Sequence, residues 1–186
     1  VLNLAKEATA LVAHAMDKLG DNFAIHGFDS NGRHDVEYYR FKEFDEPYGE
    51  DARARLAGMK GQLSTRMGAA LRHAGHFLRN RRVANKLVLL LTDGEPHDID
   101  VHDRQYLLFD TKRAVDDQRR YGIATFCLSL DHKADEYVAR IFGNRNYLAG
   151  VDTAMTIDGL TKSEAAFMDQ VDTDGNCDEA IDLYLE

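Results

Sequence analysis

The first nineteen residues carry a period of 3.6. Leu4, Ala8, Leu11, Val12, Ala15 and Leu19 recur at helical spacing, and Gly20 stands where a C-cap glycine belongs. The pattern then shortens. Residues 23–28 read as a buried strand, Asp29-Ser30-Asn31-Gly32 as a turn, and residues 36–44 as a second strand. These two strands should pair as an antiparallel hairpin near a sheet edge. Helices are predicted over 51–59 and 66–82, the latter with Met67, Ala70, Leu71, Ala74 and Leu78 on one face. Residues 86–92 (KLVLLLT) are almost wholly apolar, as suits a central parallel strand covered on both faces. A polar loop over 93–104 leads to a helix over 110–121, a strand over 123–130 and a helix over 133–142. Repeated βα units with short connections predict an α/β fold, a mainly parallel sheet flanked by helices. Beyond residue 150 the pattern weakens to two short helices, over 162–170 and 178–185.

Charge sharpens that last boundary. The chain has 186 residues, a length suited to one domain, and a formal net charge of −9. Residues 151–186 hold ten acids and one base, Lys162, so the whole net charge falls there and residues 1–150 balance at 22 of each sign. The division expected is a domain over 1–150 and an acidic extension over 151–186. A neutral body with an acidic tail excludes nucleic acid and anionic membrane surfaces as electrostatic partners. No apolar run approaches the roughly 20 residues of a membrane span. Lys6 and Glu7 within an amphipathic helix argue against a signal peptide. Two cysteines, Cys127 and Cys177, are too few for a disulfide framework or a zinc site. Cys127 falls inside a predicted strand, so a buried reduced thiol and a cytoplasmic setting are expected.

In parallel α/β sheets ligands gather beyond the carboxyl ends of the strands, which directs attention to Thr92-Asp93-Gly94. Asp93 reads either as a turn-capping residue or as a rigidly held ligand. Ser64 and Thr65, just before the 66–82 helix, read either as its N-cap or, with Asp93, as hard oxygen donors of the kind Mg²⁺ takes. His97, Asp98, Asp100, His102 and Asp103 crowd the next loop and are expected to be solvated and partner-facing. His26, His34, His73 and His76 lack a companion nucleophile or third ligand, so structural roles are expected. The segment 172–178 alternates oxygen side chains but fails the calcium-loop pattern, because its glycine falls fourth and no glutamate stands twelfth. No Gly-rich phosphate loop, dinucleotide fingerprint or nucleophile elbow occurs. The expectation is that the chain is not an enzyme.

STRMGAALRHA and LVLLLTDGEPHDIDV resemble the second and third motifs of von Willebrand factor A domains. GFDSNGRHDVEYYRFKEFDEPY, TRMGAALRHAG, and TDGEPHDIDV followed by DTKRAV are similar to the carboxy-terminal A domain of the NorD/CbbO family, over residues 1–150. The resemblance implies a Rossmann-like fold and a metal-ion-dependent adhesion site. Its ligands here would be Thr65 and Asp93, and its ion Mg²⁺, with Mn²⁺ or Ca²⁺ as alternatives. Ser64, Asp29, Asp98 and Asp100 would then face a protein partner. The implied role is that of an adaptor helping a MoxR-type AAA+ ATPase to activate a target enzyme of the nitric oxide reductase or Rubisco type. One departure matters. The family's first metal motif, Asp-x-Ser-x-Ser, has no counterpart, and the chain begins within the helix that should follow it. The expectation is an amino-terminally truncated domain lacking the usual first central strand and binding metal weakly. The strands beginning near Phe23 and Lys86 would be left with open edges unless another segment fills the gap. Two alternatives stay open: a metal-dependent phosphate-processing hydrolase using Asp93, and a metal-free scaffold.

Overall fold

The computed structural model describes residues 2–61, 64–150 and 179–185. Helix α1 (Leu2–Leu19) leads into β1 (Asn22–Ser30) and β2 (Val36–Lys42), then α2 (Glu50–Ala57) and α3 (Met67–Arg79). Strand β3 (Asn85–Thr92), α4 (Arg104–Arg120), β4 (Ala124–Ser129), α5 (Asp135–Phe142), β5 (Tyr147–Ala149) and β6 (Glu179–Leu185) complete the order. Among the described residues, six strands form one sheet in the order β2-β1-β6-β3-β4-β5. Only β2 runs antiparallel to its neighbour; β1, β6, β3, β4 and β5 pair in parallel.

Side chains that alternate along the strands build a core on each face. From β1, Ala24 and Phe28 join Val88, Leu90 and Cys127 against α3, α4 and α5. Phe23 and Ile25 join Leu89, Leu91 and Leu128 against α1 and α2. The uninterrupted apolar run of β3 is explained by this two-sided cover, and Cys127 is the buried free thiol the sequence implied.

Four differences from the sequence pattern have physical causes. The buried stripe of α1 is Ala5, Ala8, Thr9, Val12, Ala13 and Met16, whereas Leu11 and Leu19 face outward. Small residues let this helix lie close to the sheet, and that closeness outweighs the pull of the larger leucines. Helix α4 begins at Arg104, six residues earlier than its charge pattern suggested, because the Asp103 side chain accepts a hydrogen bond from Gln105 N–H at 2.9 Å. The short edge strand β5 was hidden in a polar stretch. Residues 179–185 are a strand and not the helix predicted over 178–185. Their apolar positions, Ile181, Leu183 and Leu185, alternate with period two, and β6 pairs with β1 on one side and β3 on the other. A strand thus occupies the gap where the usual first central strand was missed. The helix predicted over 162–170 and the oxygen-rich segment 172–178 lie outside the described residues.

Candidate functional site

Because β1, β3, β4 and β6 run in parallel, their carboxyl ends open on one side of the sheet. There a cleft of about 190 Å³ is lined by Asp29, Ser64, Thr65, Thr92 and Asp93, with Leu2, Ala5, Phe41, Met59 and Leu91 among its apolar walls. The residues singled out in the sequence as candidate ligands therefore share one cavity.

Each is held by a different local device. Ser64 and Thr65 are stitched between two other loops. Ser64 exchanges backbone hydrogen bonds with Ser30 at 2.7 and 2.9 Å, and Thr65 does so with His97 at 2.8 and 3.1 Å. Helix α3 begins at Met67 with Arg66 in the cap position and no side-chain capping bond, so neither Ser64 nor Thr65 is the N-cap. Thr92 shapes the turn after β3, its hydroxyl donating to Gly94 O at 3.1 Å and accepting from Gly94 N–H at 3.3 Å. The turn-capping role open to Asp93 thus falls to Thr92. Asp93 itself is exposed and makes no hydrogen bond to another described residue.

Asp29, next to last in β1, is 7% exposed. One carboxylate oxygen accepts a hydrogen bond from Tyr39 O–H at 3.1 Å, and the other, Oδ1, is buried without a hydrogen-bond partner. Burial and the Asp29 carboxylate together push the Tyr39 phenol above its usual range.

Asp98 corrects an expectation. It does not lie on a solvated, partner-facing surface but is 1% exposed, and its Oδ2 accepts from Arg66 Nε at 2.7 Å. Its Oδ1 accepts from the backbone N–H groups of Gly32 at 2.8 Å and Ile99 at 2.7 Å. Burial alone would raise this carboxyl, but the bonds from Gly32, Arg66 and Ile99 outweigh it and hold the group below the usual carboxylate range. Asp100 is half-buried and bridges Arg66 to Arg33, accepting from Arg33 Nε at 2.8 Å and Arg33 N–H at 3.0 Å. Arg66 was not singled out in the sequence, yet it joins the start of α3 to the loop after β3. The signal was the Asp98-x-Asp100 pair, which needs a cation to be buried at all.

Elsewhere His26 and His73 pack against aromatic rings, while His34 is exposed. His26 is fully buried, with ring centroids 5.1 Å from Tyr38 and 5.7 Å from Phe77. His73 lies 4.3 Å from Tyr38, and burial first, then the neighbouring His76, depresses its pKa. Among the described residues no group of three His, Cys, Asp or Glu side chains forms a metal cluster. The donor set of the cleft is different in kind: hydroxyls and carboxylates from separate loops. Such hard oxygens fit a divalent cation that keeps several of its waters, and the orphaned Asp29 oxygen marks a local demand for positive charge.

A mainly parallel sheet covered by helices on both faces, with an oxygen-lined cleft at its strand carboxyl ends, defines an α/β domain with a loop-built cleft. A family model of the von Willebrand factor type A domain matches residues 1–162, and the chain belongs to that family. It is similar to protein NorD of Stutzerimonas stutzeri, 37% identical over 147 residues, which are 79% of this chain and 24% of that protein. It is likewise 37% identical to NorD of Brucella abortus, over 79% of this chain and 23% of that protein. An uncharacterized protein of Pseudomonas aeruginosa is also 37% identical, over 77% of the chain and 23% of its own length. The chain thus spans about a quarter of the length of these relatives. No solved structure matches it. No helix among the described residues is long and apolar enough to cross a membrane.

Proposed function

We propose that this domain is a protein-docking module of a NorD-like accessory protein, binding an acidic side chain of its partner at the cleft beyond β1 and β3. The observation that carries this reading is the convergence of Ser64, Thr65 and Asp93, from two separate loops, on one cavity at the strand carboxyl ends. Thr65 and Asp93 would hold Mg²⁺, or Mn²⁺ or Ca²⁺ in its place. A bound cation supplies positive charge and an open coordination position that a partner's carboxylate can fill.

The chain's own residues do the positioning. The paired backbones of Ser30 with Ser64 and of Thr65 with His97 fix the donor loops without using their side chains. Arg66, clamped by Asp98 and Asp100, keeps the loop after β3 against the start of α3. The apolar wall of Leu2, Ala5, Phe41 and Met59 limits water on one side, which strengthens charge interactions in the cleft. Asp100, beside exposed Arg33, is left at the rim to set specificity and association rate more than raw affinity. In this reading the partners are a MoxR-type AAA+ ATPase and a target enzyme of the nitric oxide reductase or Rubisco type, met in the cytoplasm, and the domain has no catalytic step of its own.

The test is capture of such an ATPase by the purified protein, with Mg²⁺ or with a chelator. Capture should need the ion and be lost in Asp93→Ala and Thr65→Ala. Capture that survives both substitutions and the chelator would identify a metal-free scaffold instead. Turnover of a phosphate ester that Asp93→Ala abolishes would identify a hydrolase.

A further inference from the structure

We infer that Asp29 supplies a second carboxylate to the ion at this cleft, reaching it from the end of β1; the inference rests on the metal-dependent reading above. Three observations carry it. First, Asp29 is nine-tenths buried, yet its Oδ1 has no hydrogen-bond partner. A carboxyl oxygen stripped of water and given nothing in return is rare, because burying a polar group costs free energy unless a cation or donor compensates. Secondly, the compensation present is one-sided. The Tyr39 hydroxyl donates to Oδ2 at 3.1 Å, and both residues line the cleft. Tyr39 thereby fixes the carboxylate's rotation and commits one oxygen, while Oδ1 stays buried without a partner. Lys60 also lines the cleft, but it is exposed and makes no ion pair with Asp29.

Thirdly, the same cavity holds Thr65 and Asp93, from the loops before α3 and after β3, and the Ser30–Ser64 backbone pair pins the first of these loops to the end of β1. A cavity of about 190 Å³ has room for an ion with several waters, each taking about 30 Å³ in the liquid. Magnesium in protein sites commonly takes one or two carboxylates and keeps the remaining positions for water. Asp29 and Asp93 together meet that pattern, and Asp93 with Thr65 meets only its lower limit. Asp29 also sits on a regular strand, in register with Glu37 of β2, so the oxygen is delivered by rigid backbone.

The experiment titrates Mn²⁺ alone into the whole chain by isothermal calorimetry and follows free Mn²⁺ by electron paramagnetic resonance. The proteins compared are the unmutated chain, Asp29→Asn, Asp93→Asn and Tyr39→Phe. Asp29→Asn should weaken Mn²⁺ binding at least tenfold, and Asp93→Asn should do the same. The metal-free melting midpoint of Asp29→Asn should stay unchanged, since Oδ1 makes no hydrogen bond that the substitution could remove; a purely structural aspartate would lower it. Tyr39→Phe, which keeps the carboxylate, should retain the site. In the unmutated protein, Mn²⁺ should broaden the amide resonances of Asp29 together with those of Thr65 and Asp93, a readout that needs no variant. Binding by Asp29→Asn within twofold of the unmutated chain, with Asp93→Asn defective, would overturn the role of Asp29 and leave the metal site standing. No saturable binding by the unmutated chain would overturn both.

Discussion

At the scale of single residues, the cleft depends on one buried ion pair more than on any candidate ligand. Arg66 and Asp98 have side chains 10% and 0% exposed and lie 2.7 Å apart. Removing one partner leaves an uncompensated charge inside the protein, a loss of about 3–5 kcal/mol. Arg66→Ala should therefore lower the urea midpoint sharply, and a change below about 1 kcal/mol would show that the clamp carries little. The pH dependence follows from Asp98. Its folded pKa is depressed, so its contribution is fully present above the unfolded value of about 3.9 and is lost as pH falls through the lower folded value. Urea unfolding between pH 5 and 2 should show this acid-side loss in the unmutated protein and a shallower slope in Asp98→Asn. That Thr65 and Asp93 lie at the strand carboxyl ends was legible in the sequence; the Arg66–Asp98 pair was not. Thr65 and Asp93 stood out because TDG follows an apolar strand and STR precedes a helix. Asp98 was misplaced because a run of His and Asp reads as solvated until a buried arginine, 32 positions away, is brought against it.

At the scale of elements, long-range pairing decides what local pattern leaves open. Two-sided burial made β3 readable from composition alone, since Val88 and Leu90 face one core while Leu89 and Leu91 face the other. The face of α1 was not readable, because alanine spacing and leucine spacing on that helix point in adjacent directions and only the distance to the sheet chooses between them. The α3–α4 contact has the same character. A Cβ at Gly68 would stand 2.2 Å from Asp110 Oδ2, so the glycine admits the carboxylate that Arg72 Nη2 holds at 2.6 Å. Gly68→Ala gains about 1 kcal/mol of helix propensity. That gain should be offset by up to about 1 kcal/mol, because the Asp110 side chain must swing out of its partly exposed pair with Arg72. Thermal melts of Gly68→Ala, alone and combined with Asp110→Ala, check this: the alanine at 68 should stabilise more once Asp110 is gone, and an equal effect in both backgrounds would contradict it.

At the scale of the whole molecule, the central position of the sheet is filled by the last strand in sequence, β6, parallel to both neighbours. Without it β1 and β3 would each present an open edge at the middle of the sheet, the arrangement most prone to pairing with other chains. Deleting residues 179–185 should turn a cooperative melt into aggregation visible by light scattering, whereas a deletion variant that stays monomeric would show that β1 and β3 close on each other. The long separation of β6 from the other strands explains why this part of the fold escaped the sequence reading: nothing local in 179–185 names its partners. The same sheet brings β1, β3 and β4 to a common carboxyl edge and so makes one cleft from separate loops. The central claim, that this cleft holds a divalent cation through Thr65 and Asp93, is tested most directly by calorimetric titration of Mg²⁺. The unmutated chain should show a saturable one-to-one isotherm that Asp93→Ala and Thr65→Ala lose while keeping their circular dichroism spectra. A flat titration of the unmutated chain, or isotherms unchanged in both variants, would contradict it.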